Sequence, residues 1–132
     1  MLILSSVSIS FGQELNEHQW KNRILLVISN DSTKLNKQID LLKEDIFGLK
    51  ERKLIVYKIA PLMYQKGIKS NRWISSKQLY HQFKKTSKPI EIILIGLDGG
   101  VKLRQTKLLR LEKLFTLIDG MPMRKTEIRK KN

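Results

Sequence analysis

Aliphatic runs recur along this chain at the intervals a mixed α/β domain needs. The most continuous covers residues 90–95, where Ile90, Ile92, Ile93, Leu94 and Ile95 are interrupted only by Glu91. Such a run suits a strand covered on both faces. Asp98-Gly99-Gly100 follows, and these pairs supply the positive φ that a hairpin turn demands. Val101, Lys102, Leu103 and Arg104 then alternate apolar and basic, as a half-exposed edge strand does. Lys102 and Arg104 fall on one face, about 7 Å apart at two residues' rise. They serve either to protect an edge strand or as a small anion site beside the glycine turn.

Further segments carry a clear period. Residues 24–28, ILLVI, read as a buried central strand, and one of Asn30, Asp31 and Ser32 caps the helix that follows. Over residues 33–50, Leu35, Ile39, Leu42, Ile46 and Leu49 form one apolar stripe, which predicts an amphipathic helix on a sheet face. Residues 54–59, LIVYKI, are the second strand, ended by Ala60-Pro61. Strand, helix, strand in this order make a parallel crossover. Residues 62–72 are irregular and basic, a loop that Trp73 and Ile74 fasten to the core. Ser75 or Ser76 starts a helix to Phe83. Residues 108–118 form a closing helix with Leu111, Leu114, Phe115 and Ile118 on one face. Trp20 is an anchor packed over the start of the sheet. The order is β-α-β-α-β-β-α, an α/β fold of three layers with a mixed central sheet.

Charge and composition narrow the function classes. The 132 residues suit one domain. Lysine and arginine number 26 against 12 acidic residues, a formal net charge of +14. Such a surface attracts polyanions, whether nucleic acid, anionic lipid headgroups or acidic polysaccharide, and charge alone does not choose among them. The absence of cysteine excludes disulfides, thiol redox chemistry and thiolate metal sites. His18 and His81 belong to no histidine metal motif, so no metal and no cofactor is expected.

Residues 1–12, MLILSSVSISFG, are apolar and carry no side-chain charge. Ser10 and Gly12 stand at the −3 and −1 positions of a cut before Gln13, as at the end of a secretory signal peptide, although the basic n-region is missing. The stretch is too short to span a membrane. Export to the periplasm, envelope or medium is the expectation, with a cytoplasmic chain as the alternative. The divisions are a leader remnant at 1–12, a domain at 13–124 and a charged, frayed basic tail at 125–132.

The element order is the thioredoxin-like arrangement. Such domains place a cis-proline before the third strand, then a strand, a glycine turn, a strand and a final helix. Pro89, residues 90–95, Gly99-Gly100, residues 101–104 and residues 108–118 follow that plan. The dithiol of that plan would fall near residues 29–33, where no cysteine stands. Three blocks carry a closer resemblance: Trp20-Lys21-Asn22-Arg23-Ile24-Leu25-Leu26, then Leu94-Ile95-Gly96 with Asp98 to Arg104, then Leu114-Phe115, Ile118-Asp119 and Met121-Pro122-Met123-Arg124. With these the chain resembles the family named domain of unknown function 4174. It is also similar to the peroxiredoxin-like module of the animal sushi-repeat X-linked proteins and of coiled-coil-domain-containing protein 80. Leu97 departs from the lysine that the family carries before Asp-Gly. The resemblance implies a thioredoxin-like fold and frequent export, and no reaction.

Three functions compete. The first is a non-catalytic, exported binding module for an anionic ligand or an envelope or extracellular protein. Its site would use Arg23, Asp98, Gly99, Gly100, Lys102, Arg104 and Arg124, with Trp20, Met121, Pro122 and Met123 as apolar walls. Basic groups beside a glycine turn hold phosphate or carboxylate. Alternatively, Asp98 and Asp119 pair with these arginines as a structural network. The second is an enzyme in which Asp98 or Asp119 is a general base beside Arg104 or Arg124. The third is nucleic-acid binding through net charge, without zinc-finger spacing or an aromatic RNA-recognition motif.

Overall fold

The computed structural model describes residues 15–131, so the leader expected at 1–12 lies outside the described residues. Its strands are β1 (Arg23–Ser29), β2 (Leu54–Ile59), β3 (Met63–Lys66), β4 (Ile74–Ser75), β5 (Ile90–Ile95) and β6 (Val101–Gln105). Its helices are α1 (Ser32–Leu42), α2 (Ile46–Glu51), α3 (Gln78–Phe83), α4 (Leu111–Asp119) and α5 (Pro122–Lys131). The strands form one mixed sheet of order β4-β3-β2-β1-β5-β6. β1 pairs parallel with β2 and antiparallel with β5, and the remaining neighbours are antiparallel. Every residue of β1 and β5 is buried, as their unbroken apolar runs require.

The two faces of the sheet carry separate cores. On one, Leu25, Val27, Ile92 and Leu94 pack with Leu35, Ile39 and Leu42 of α1, Leu49 of α2, and Leu114 and Ile118 of α4. On the other, Ile24, Leu26, Ile28 and Ile93 meet Tyr57 and the α3 residues Leu79 and Phe83. Alternation along each strand divides the residues this way. The α1 crossover begins where Asp31 accepts the N–H groups of Thr33 and Lys34 at 2.9 and 3.3 Å.

Four local expectations are corrected. The single helix over 33–50 is two, joined by a 3-10 turn (Lys43–Asp45). The Asp45 carboxylate accepts the Gly48 N–H at 2.8 Å, so it caps a second helix inside the stripe. The loop at 62–72 contains β3 and leads to β4, which make an antiparallel edge hairpin. These strands are too short and too polar to show a period. Trp73, Ile74 and Trp20 are exposed rather than fastened to the core. The expected tail is α5, begun by Pro122, whose fixed φ suits a first helical turn. All described peptide bonds are trans, so the cis-proline of the thioredoxin-like plan is not found at Pro89.

One buried amide joins two layers at the edge of the core. Gln38 of α1 donates from Nε2 to the Leu109 carbonyl at 2.8 Å and accepts the Leu109 N–H at 2.6 Å. Leu109 is fully buried and outside any strand or helix, so its backbone groups depend on this side chain. Gln38→Leu is expected to leave both groups unpaired and to cost on the order of 2–4 kcal/mol. Urea denaturation should show this as a lower midpoint with an unchanged slope.

Candidate functional site

Because β1 and β5 run antiparallel, the start of one and the end of the other meet at the same end of the sheet, with Ile24 opposite Ile95. The β5–β6 turn, the end of α4 and the start of α5 converge there. Between them lies an open cleft of about 680 Å³. Arg23 forms its floor. Gly96, Leu97, Asp98 and Lys102 line the turn side, and Thr116, Leu117, Gly120, Met121, Pro122 and Met123 line the helix side. The fold thus gathers Arg23, Asp98, Lys102, Met121, Pro122 and Met123 into one place.

The turn is built by Asp98. Its Oδ1 accepts the Gly100 N–H at 2.8 Å and its Oδ2 pairs with Lys102 Nζ at 3.0 Å. The Gly100 N–H, and then the Lys102 ammonium, hold the Asp98 carboxyl below the ordinary aspartate range. Gly99 takes φ +86°, which favours glycine. Gly96 is needed for a different reason: a Cβ there would lie 2.6 Å from Lys102 Cε, so the lysine stem crosses bare backbone. The chain before β1 ties the turn down, with Trp20 N–H donating to Leu97 O at 2.7 Å and Gln19 Nε2 to Asp98 O at 3.1 Å. The Trp20 ring is 62% exposed and is not part of the cleft lining.

Beneath the cleft lies an arginine–carboxylate network. Arg23 is 1% exposed. Its Nη1 donates to Arg52 O at 2.9 Å and to Glu127 Oε1 at 3.3 Å, and its Nη2 donates to Glu127 Oε2 at 3.3 Å. Its Nε is buried without a hydrogen-bond partner among the described residues. Arg52 holds Asp119 through Nε and Nη2 at 3.0 and 2.9 Å, and its guanidinium stacks 3.8 Å from the Phe115 ring centre. Arg124, also buried, donates from Nε to Asp119 at 3.0 Å and from Nη1 to Glu127 at 3.5 Å. Burial pushes the Asp119 carboxyl up, and the bonds from Arg52 and Arg124 more than offset it, leaving the group below its ordinary range.

The expected site residues do not all meet in the cleft. Arg124 lies in the network and does not line the cleft. Two of the three Arg23 nitrogens are already bound. Gly99 and Gly100 shape the turn and are not part of the lining. Arg104 points into a separate cluster, pairing through Nη1 with Glu91 and donating to Phe83 O at 3.1 Å. Of the pairings expected for a catalytic carboxylate, Asp119–Arg124 forms, whereas Asp98 pairs with Lys102 instead of Arg104. Sequence reasoning missed Arg52 and Glu127 because they fall in a polar break and in the supposed tail. It saw Glu91 only as an interruption, although an acid inside a buried strand signals a cation that answers it.

Glu91 is 0% exposed and accepts the N–H groups of Lys85 and Thr86 at 3.0 and 3.1 Å, besides Arg104. Burial pushes its carboxyl up, but the Lys85 N–H, the Arg104 guanidinium and Thr86 together hold it below the ordinary glutamate value of 4.5. A carboxyl depressed in the folded state stabilises the fold above its unfolded value, and that contribution is lost as pH falls through the folded one. The contribution of Glu91 is therefore expected to be level from neutral pH down to about 4.5 and to disappear below it. Urea titrations across pH should show Glu91→Gln less stable at neutral pH and with a shallower acid slope.

No curated protein matches the chain, and no solved structure does either. Residues 14–127 match the family described as domain of unknown function (DUF4174), and the chain belongs to that family.

Proposed function

We propose that this chain is an exported, non-catalytic binding module whose cleft takes an anionic group carried on an apolar body. The observation that carries the reading is Arg23, a buried guanidinium on the cleft floor whose Nε–H lacks an acceptor among the described residues. A buried donor left unpaired is costly, and a carboxylate or phosphate oxygen is a strong acceptor for it. Leu97, Leu117, Met121 and Met123 supply apolar surface around that donor, and methionine adapts to varied shapes. Lys102 stands at the side, held by Asp98, so an anion competes with Asp98 for the ammonium.

The chemistry of the carboxylates favours binding over catalysis. Asp98 and Asp119 both lie below their ordinary range, which makes them weak general bases. Export rests on the pattern of residues 1–12. A thioredoxin-like plan is supported by the order β2-β1-β5-β6, with one parallel and two antiparallel pairings. In that plan β3 and β4 are additions. The cleft lies at the start of β1, at the other end from Ser29, whose hydroxyl donates to Pro89 O at 2.7 Å.

Hexanoate, a carboxylate on a short apolar tail, is the probe. Titrating it into labelled protein should move the amide resonances of Gly96, Lys102, Met121 and Met123 together. Lys102→Glu is expected to weaken binding by about tenfold, the loss of one charge-assisted bond. Asp98→Asn should strengthen it by freeing the ammonium. Shifts confined to other faces, or an affinity indifferent to Lys102→Glu, would overturn the assignment.

A further inference from the structure

The edge hairpin β3–β4 carries a second surface, far in character from the cleft. Met63 pairs with Ser75, Tyr64 pairs with Ile74, and the Ser76 N–H donates to Leu62 O at 3.0 Å. This hairpin brings Leu62, Met63, Trp73 and Ile74 to the sheet edge, with Met63 beside Ser75 on one face and Ile74 beside Tyr64 on the other. All four side chains are exposed, Leu62 by 68% and Trp73 by 42%. An exposed apolar edge of this kind is a pairing hazard unless something covers it.

Charge identifies the cover. Between Glu51 and Glu91 the chain has ten lysines and arginines and no acidic residue. Lys69, Arg72 and Lys77 flank the apolar group in sequence, are exposed, and form no ion pair among the described residues. Lys66 is the exception on this hairpin, paired with Glu17 at 2.6 Å. A second copy of this chain would bring like charge to the same edge, and is disfavoured. A nucleic acid would match the charge, but it takes stacked aromatic rings, and three of the four apolar groups here are aliphatic. A bilayer takes both: aliphatic and tryptophan side chains enter the headgroup boundary while lysine and arginine meet anionic headgroups.

We propose that the β3–β4 edge is a docking face for an anionic lipid surface, with Trp73, Ile74, Leu62 and Met63 inserting at the interface and Lys69, Arg72 and Lys77 holding the headgroups. The attachment is peripheral. No helix among the described residues is long and apolar enough to cross a membrane.

The chain has two tryptophans, so a Trp20→Phe variant isolates the emission of Trp73. On mixing with vesicles of phosphatidylglycerol and phosphatidylcholine in equal parts, that emission should move to shorter wavelength and the protein should sediment with the lipid. Pure phosphatidylcholine vesicles should produce neither change. Each cation near an anionic surface contributes about fivefold, so replacing Lys69, Arg72 and Lys77 by glutamine should weaken partition on the order of a hundredfold. Leu62→Ser with Ile74→Ser should also lower it while leaving the far-ultraviolet dichroism unchanged. Three results would overturn the proposal: no sedimentation with the anionic vesicles, sedimentation without change at Trp73, or a shift at Trp73 with a single-stranded oligonucleotide but not with lipid.

Discussion

A guanidinium taken out of water has to be met by an opposite charge and by enough acceptors, or the fold loses several kcal/mol. Arg23 imposes that condition at the first residue of the central strand, where it is 1% exposed. Its carboxylate partner, Glu127, lies 104 residues further along the chain. The last helix is therefore an obligatory part of the domain. Arg52 and Arg124 converge on Asp119 at the junction of α4 and α5, which fixes how the second helix leaves the first. That junction carries Met121, Pro122 and Met123, so the same electrostatic condition that holds α5 also sets one wall of the cleft.

The sheet applies the same rule a second time at its other end. Glu91 occupies an inward position of β5, and Arg104 from the neighbouring strand meets it, with backbone N–H groups from the loop before β5 completing its shell. Each buried charge thus fixes a connection that hydrophobic packing alone would leave loose. The arginine and carboxylate clusters are spent on the fold, and the proposed ligand roles fall instead to Lys102, the Nε–H of Arg23 and the cations of the β3–β4 edge.

The central strands were legible because their signal is local. The runs at 24–28, 54–59 and 90–95 and the Asp-Gly-Gly turn define their elements without help from distant residues. The lining of the candidate cleft was legible in part, since Arg23, Asp98, Lys102, Met121 and Met123 do meet there. What the sequence concealed depends on partners far apart in the chain. Nothing near Arg23 announces that Glu127 will hold it, and nothing near Glu91 names Arg104. The 62–75 hairpin was hidden because an exposed edge strand needs neither alternation nor a continuous run. The break in the first helix turned on one carboxylate, Asp45, which competes with the helix from inside an intact apolar stripe.

A double-mutant cycle on Arg23 and Glu127 tests the central claim most directly, read as unfolding free energy at neutral pH. Glu127→Leu alone leaves the Arg23 charge buried and poorly compensated, and should cost about 3–5 kcal/mol. Adding Arg23→Met removes that charge, and the double variant should be more stable than Glu127→Leu alone. If the two costs simply add, the buried guanidinium is not what binds α5 to the central strand, and the account of the fold and of the cleft wall is contradicted.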